Sequence, residues 1–178
     1  MAAPKLGPIV VSPNGRFLQH KAGSPFFWLG DTAWLLFQKL DRAETERYLE
    51  DRRRKGFNVV QAVALHGLDD KNAYGSAALA GNDPTRPNVT PGHNPARSGE
   101  YDYWDHVDWV VDRAARKGIF IALLPTWGSV VKSGGLNLDS AAVFARFLAR
   151  RYGNRPNIFY VNGGDVRGDD GGGVWKAL

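Results

Sequence analysis

Five residues stand where chemistry could be done: Asp31, His66, Trp127, Asn162 and Asp165. Each closes or directly follows an apolar run, in FFWLGD (26–31), FNVVQAVALH (57–66), IFIALLPTW (119–127) and NIFYVNGGD (157–165). Carboxylates, an imidazole and an amide can hydrogen-bond a polar ligand, and an indole adds an apolar face with one polar edge. Asp165 is the most pointed case, because Gly163 and Gly164 before it let the backbone bend and bring a ligand close. The plainer reading of each residue stands beside this one. Asp31 and Asp165 can cap helices, His66 can be a satisfied histidine at a strand end, and Trp127 can pack under a loop. A metal centre has less behind it. Asp69, Asp70, Asp83, His93, Asp102, Asp105 and His106 follow no ligand spacing, DVRGDDGGG (165–173) misses the EF-hand pattern, and the chain has no cysteine.

The elements that must position these residues follow from the periodicity. PNG (13–15) and KAGSP (21–25) are turn sequences around a short strand-like RFLQ, which predicts a β-hairpin. FFWLGD reads as a strand buried on both faces. Asp41 with Glu44 is a capping pair for a helix through Tyr48, Leu49 and Arg52, which Gly56 ends. FNVVQAVAL is a second buried strand. Residues 67–101 carry no period and read as a long functional or poorly ordered loop. Helical spacing resumes at Trp104, Val107, Val111 and Ala114 and stops at Gly118; IFIALLPTW is the third strand. Asp139 is the expected cap of a helix through Phe144, Phe147 and Leu148 to Gly153, and NIFYV opens the fourth strand. Trp34, Trp104 and Trp109 are expected in the core. Strand–helix alternation of this kind implies a parallel sheet, either doubly wound or a (β/α)8 barrel, with ligands outside the carboxyl ends of the strands. No G-x-G-x-x-G follows the first strand, so a nucleotide cofactor is not indicated, and no cofactor is expected.

Composition bounds the partners. The chain has 178 residues, 43% of them apolar, and a formal charge of +5. RRRK (52–55) and RFLARR (146–151) supply much of the excess, but both lie on helical segments and read as solvated faces rather than a nucleic-acid surface. No apolar run has the length of a membrane span, and MAAPKLGPIV lacks the apolar stretch of a signal peptide, so a cytoplasmic location is the default expectation.

PFFWLGDTAWLLFQKL, YLEDRRRKGFNVVQAVAL, NAYG, NDPTRPN, YWDHVDWVVDRAARKGIFIALLPTWG and RPNIFYVNGGD, in that order, resemble the apiosidase-like glycoside hydrolases, the family of the DUF4038 barrel. The likeness runs over roughly residues 9 to 165. It implies a (β/α)8 TIM barrel, a carbohydrate substrate, an Asp after the fourth strand as acid/base, and a Glu from a later strand as nucleophile. The acid/base position falls on Asp165, although Val166 stands where the pattern would put Arg. Asp31, His66, Trp127 and Asn162 are then the candidate substrate contacts. Four strands can be counted against the barrel's eight. The expectation is therefore an N-terminal half: a hairpin segment over 1–25 and a partial, truncated barrel over 26–178. No Glu occurs after Glu100 to act as nucleophile. Two open sheet edges further predict either self-association, as a homodimer that approximates a barrel, or poor behaviour in solution.

Overall fold

The computed structural model describes residues 6–169 and 171–178. Residues 1–5 of the expected hairpin segment and Asp170 of the Gly/Asp loop lie outside the described residues. Strands β1 (Ile9–Val11) and β2 (Leu18–His20) pair antiparallel as the predicted hairpin, with Ile9 opposite His20. The main sheet holds four parallel strands in sequence order: β3 (Gly30–Thr32), β4 (Val59–Leu65), β5 (Phe120–Thr126) and β6 (Ile158–Tyr160). Connecting helices bring each strand back in the same direction: α1 (Leu36–Lys39) and α2 (Arg42–Arg54), then α3 (Tyr103–Arg116), then α4 (Gly128–Lys132) and α5 (Leu138–Tyr152). A last turn, α6 (Val174–Ala177), follows β6. Four consecutive parallel strands with their helices are half of a (β/α)8 barrel.

Local chemistry starts the helices. Asp41 accepts from the Glu44 amide at 2.8 Å and Glu44 reaches back to the Asp41 amide at 3.0 Å, as the sequence predicts. Asp102 and Asp105 form the same reciprocal pair on α3. The cap of α5 differs from the expectation. Asn137, not Asp139, accepts from the Ser140 amide at 3.0 Å, and Ser140 answers through its hydroxyl, so Asp139 falls inside the first turn. The charges of RRRK are met nearby: Arg52 by Asp31 and Asp51, Arg53 and Arg54 by Glu50, Lys55 by Asp51.

Register divides the sheet into two faces. Residues paired across parallel strands point the same way, and Val60, paired with Ile121, packs with Leu49, Val107, Val111 and Ala114 against the helices. Their neighbours Val59, Phe120 and Ala122 face the other side, where Phe26, Trp28, Phe159 and the hairpin's Ile9 and Leu18 cover them. The first strand departs from its predicted form. Only Gly30–Thr32 pairs, and Phe27 and Leu29 before it are exposed; among the described residues this strand is the edge of the sheet.

The long segment 67–101 is not loose. Ala78 and Leu79 enter the core, the Trp104 indole donates to the Ala78 carbonyl at 2.9 Å, and buried Asn72 donates to the Asp102 carbonyl at 3.2 Å. Trp104 is a core residue as expected, whereas Trp109 is half-buried between the guanidinium groups of Arg42 and Arg113. His106 is fully buried, with Nε2 2.9 Å from the Leu40 carbonyl and Nδ1 3.0 Å from the Tyr101 hydroxyl. A carbonyl only accepts, so Nε2 carries the proton and the neutral ring is held in one tautomer. Burial accordingly moves its pKa below the ordinary histidine value.

Candidate functional site

The carboxyl ends of the four parallel strands define one rim. His66 follows β4, Trp127 follows β5, and Asn162 and Asp165 lie in the segment after β6. The rings of His66 and Trp127 stack, with centroids 5.5 Å apart and planes 23° apart. Trp34, two residues beyond β3, meets Trp127 with ring centroids 5.1 Å apart and planes tilted by 57°. Trp34 was expected in the core. It is instead half-buried and completes an aromatic wall along the rim. Its position just past the first strand is the signal that could have placed it there.

His66 is held from below. Its amide donates to Asp70 Oδ2 at 2.6 Å, and the same oxygen accepts from Gln38 Nε2 at 2.9 Å. Gln38 Nε2 also lies 3.2 Å from the Val63 carbonyl and 2.8 Å from the Tyr103 hydroxyl, so its two protons are shared among three acceptors; Tyr103 in turn donates to the Ala64 carbonyl at 2.7 Å. Burial pushes the Tyr103 hydroxyl far above its usual range, so it stays a neutral donor. The loop after β4 is thus tied to the end of its own strand by a buried polar network.

Asp165 is positioned by backbone approach. Gly163, Gly164 and Asp165 all have positive φ, at 145°, 127° and 58°. The two glycines take conformations closed to other residues at little cost, and Asp165 occupies the left-handed region that Asp tolerates better than most. The Gly128 amide donates to the Gly164 carbonyl at 3.1 Å. A Cβ on Gly128 would overlap that carbonyl oxygen, and one on Gly164 would lie 2.6 Å from the Gly128 nitrogen and 3.2 Å from the Trp127 ring. The loop bearing Asp165 therefore docks on the Trp127–Gly128 corner because both positions are glycine. Among the described residues the Asp165 carboxylate has no hydrogen-bond partner, and it is exposed. It caps no helix: α6 starts after Gly173, with no side-chain cap. Next to Trp127, the Thr126 hydroxyl is buried and likewise unpartnered among the described residues, as are several buried polar atoms elsewhere in the core.

Two candidate contacts are placed differently from their neighbours. Asp31 shares its face with Val60, its partner on β4, and so points to the helix layer. Its Oδ2 accepts from Tyr48 at 2.8 Å and Arg52 at 2.7 Å, and its Oδ1 accepts from the Thr32 amide at 2.9 Å. Burial alone would raise its pKa, but the bonds from Tyr48, Arg52 and Thr32 outweigh it and leave the carboxyl below its ordinary value. Asp31 ties α2 to the sheet. Asn162 lies in the rim segment, and its amide donates to the Trp175 carbonyl of α6 at 2.8 Å. A separate apolar hollow of about 300 Å³, lined by Leu6, Phe26, Phe27, Leu29 and Phe120, lies by the hairpin near the amino ends of the strands. Ligands of parallel sheets bind at the opposite end.

Comparison with known proteins follows the same lines. The sequence model of a family described as "Apiosidase-like, catalytic domain" matches residues 12–178. A solved structure named "Glycoside hydrolase" superposes with a TM-score of 0.86 at 44% identity, covering 97% of this chain and 37% of its own. A structure described as a glycoside hydrolase family 5 protein from Bacteroides vulgatus ATCC 8482 gives a TM-score of 0.86 at 41% identity, over 97% of this chain and 36% of its own. An endo-1,4-beta-D-mannanase from Thermotoga petrophila, at 14% identity, covers 80% of this chain and 46% of its own, and shares the fold with a TM-score of 0.54. This chain thus spans little more than a third of the length of the first two. Among curated proteins no match was found.

Proposed function

Because this chain belongs to the family of apiosidase-like catalytic domains, we propose that it carries the acid/base wall of a glycoside hydrolase, with Asp165 as the proton donor. The substrate class is a plant-type polysaccharide whose side-chain glycosidic bonds are cut. The observation that supports this most directly is the Asp165 carboxylate, without a partner among the described residues and docked through Gly164 against Trp127. A glycosidic oxygen resting there would take its proton from Asp165 as the bond breaks, while Trp127 and Trp34 offer apolar faces to the sugar ring and His66 a polar edge. Hydrolysis also needs a second carboxyl group, about 5–5.5 Å away for retention or about 6.5–9.5 Å for inversion. The resemblance assigns that role to a Glu from a later strand, and no Glu follows Glu100 in this sequence; Asp31 or a carboxylate of another copy is the alternative source.

A second reading is a half-barrel that binds carbohydrate without cutting it. It is favoured by the aromatic wall of Trp34, His66 and Trp127, whose ring contacts lie within this chain, whereas only one carboxylate of the pair, Asp165, is proposed from it. Affinity electrophoresis through plant polysaccharides, run beside aryl-glycoside turnover, separates the two. The chain by itself should be retarded and catalytically silent, with retardation lost in Trp127→Ala and kept in Asp165→Asn. Migration unchanged by every polysaccharide would remove both readings. Turnover that disappears in Asp165→Asn would show that the second carboxylate is already supplied, and would favour hydrolysis over simple binding. The exposed edges β3 and β6 leave backbone groups free for a second copy. Sedimentation at micromolar concentration tests that association, and a stable monomer argues against it.

A further inference from the structure

Asparagine followed by glycine occurs twice in this chain, at Asn14–Gly15 between the hairpin strands and at Asn162–Gly163 after β6. The pair is chemically labile. The amide nitrogen of the second residue can attack the side-chain Cγ of the first, and a glycine has no Cβ to hinder the approach. A bond forms between that nitrogen and Cγ, the Cγ–Nδ2 bond breaks, and the proton of the attacking nitrogen leaves with Nδ2 as ammonia. Water then opens the five-membered imide at either carbonyl. The products are aspartate and, with the main chain rerouted through the side chain, isoaspartate.

Both asparagines are exposed, so exposure does not tell them apart. Hydrogen bonding does. At the hairpin the attacking amide is engaged, because Gly15 donates to the Ser12 carbonyl at 2.8 Å. The electrophile is held as well: Asn14 Oδ1 accepts from the Ser12 hydroxyl at 2.8 Å and from the Arg16 amide at 3.1 Å. After β6 the Gly163 amide has no acceptor among the described residues. A Cβ on Gly163 would meet nothing within 4 Å, so ring closure has room there. One bond restrains Asn162, from Nδ2 to the Trp175 carbonyl at 2.8 Å, and it is made by the group that departs. Reaching the attack geometry disturbs three hydrogen bonds at the hairpin and one at the rim, each worth about a few-fold in rate.

We propose that Asn162–Gly163 is a modification site, converting spontaneously to aspartate and isoaspartate in the folded chain, while Asn14–Gly15 is protected by its turn. The conversion unseats the loop that bears Asp165. Aspartate would set a carboxylate against the Trp175 carbonyl, two acceptors with no proton between them. Isoaspartate adds a methylene to the main chain just before Gly164, whose carbonyl docks on the Gly128 amide. The inference does not depend on what the rim binds.

Peptide mapping by mass spectrometry tests it, on the full chain aged in mildly alkaline buffer with and without guanidinium chloride. Each site's rate in the denatured chain is its own reference. Folding should slow Asn14 by about tenfold or more and Asn162 by no more than about threefold. Equal protection of the two sites, or greater protection of Asn162, would overturn the proposal, because the Trp175 bond would then outweigh the free amide. Conversion of Asn14 that speeds up on folding would overturn it too, by showing that the two donors on Oδ1 activate the carbonyl more than the turn protects it. Asn162→Gln should remove the acidic species that ion exchange resolves in aged protein, since glutamine would have to close a larger ring. If that species persists in the variant, the labile amide lies elsewhere and the assignment is wrong. The acidic form of the parent should melt at a lower temperature than the unaged chain; identical melting would overturn the unseating of the loop.

Discussion

The helix-facing side of the sheet and its carboxyl rim are built by different means. On the helix side, β4 and β5 run seven residues each, and Val60, Ala62, Ile121 and Leu123 pack against α2, α3 and α5 with almost no exposure. Stability there comes from apolar area removed from water. On the rim, the site residues are half-buried or exposed, and polar bonds and glycine contacts hold them: His66 through Asp70 and Gln38, Asp165 through Gly164 and Gly128. The difference teaches that stability and chemistry can be disturbed separately. Substitutions on one side should unfold the chain, and those on the other should displace a side chain within a folded one.

The largest effect should come from the helix side. Trp104→Ala removes a fully buried indole and its bond to Ala78, and should cost about 3–5 kcal/mol in urea unfolding. A loss below about 1 kcal/mol, the size of an ordinary substitution, would break the comparison, because the core would then lie elsewhere. Gly128→Ala tests the rim. The new Cβ cannot coexist with the Gly164 carbonyl, so the loop must move, at a cost of about 1–3 kcal/mol. Saccharide binding should fall further than that stability loss accounts for, whereas an intact loop with full binding would contradict the docking described here.

Asp31 sits at the junction of the two regions. Asp31→Asn should destabilise by about 1–2 kcal/mol at neutral pH, since Arg52 and Tyr48 lose a charged acceptor that is partly exposed to solvent. The sign with pH follows from its lowered pKa. The carboxylate's contribution is fully present above the unfolded value near 4 and is lost as pH falls through the lower folded value. The gap between parent and Asn variant should therefore close in acid; a gap that widens there would reverse the assignment. The smallest effect is expected at Phe27, which is 77% exposed just before the edge strand β3. Phe27→Ser should change stability by no more than about 0.5 kcal/mol if the edge is bare. A larger loss that grows with protein concentration would show that a second copy covers that edge.

Much of this architecture is written in local chemistry. The alternation of strand and helix, the capping pair Asp41–Glu44, the left-handed stops at Gly56 and Gly118, and the buried runs of β4 and β5 need only neighbours a few residues apart. Those signals also placed His66, Trp127 and Asp165 at strand ends, and so on one rim. Tertiary structure decided what each side chain does there. A carboxylate near a strand end can face either side of the sheet, and only the register with Val60, and the arrival of Tyr48 and Arg52 on α2, turned Asp31 toward the helices. Trp34 joined Trp127, and Gly128 received Gly164, through contacts between segments far apart in the chain. Periodicity says which residues share a face of their own element; which face meets which neighbour is set by packing, and that is where the candidate site took its shape.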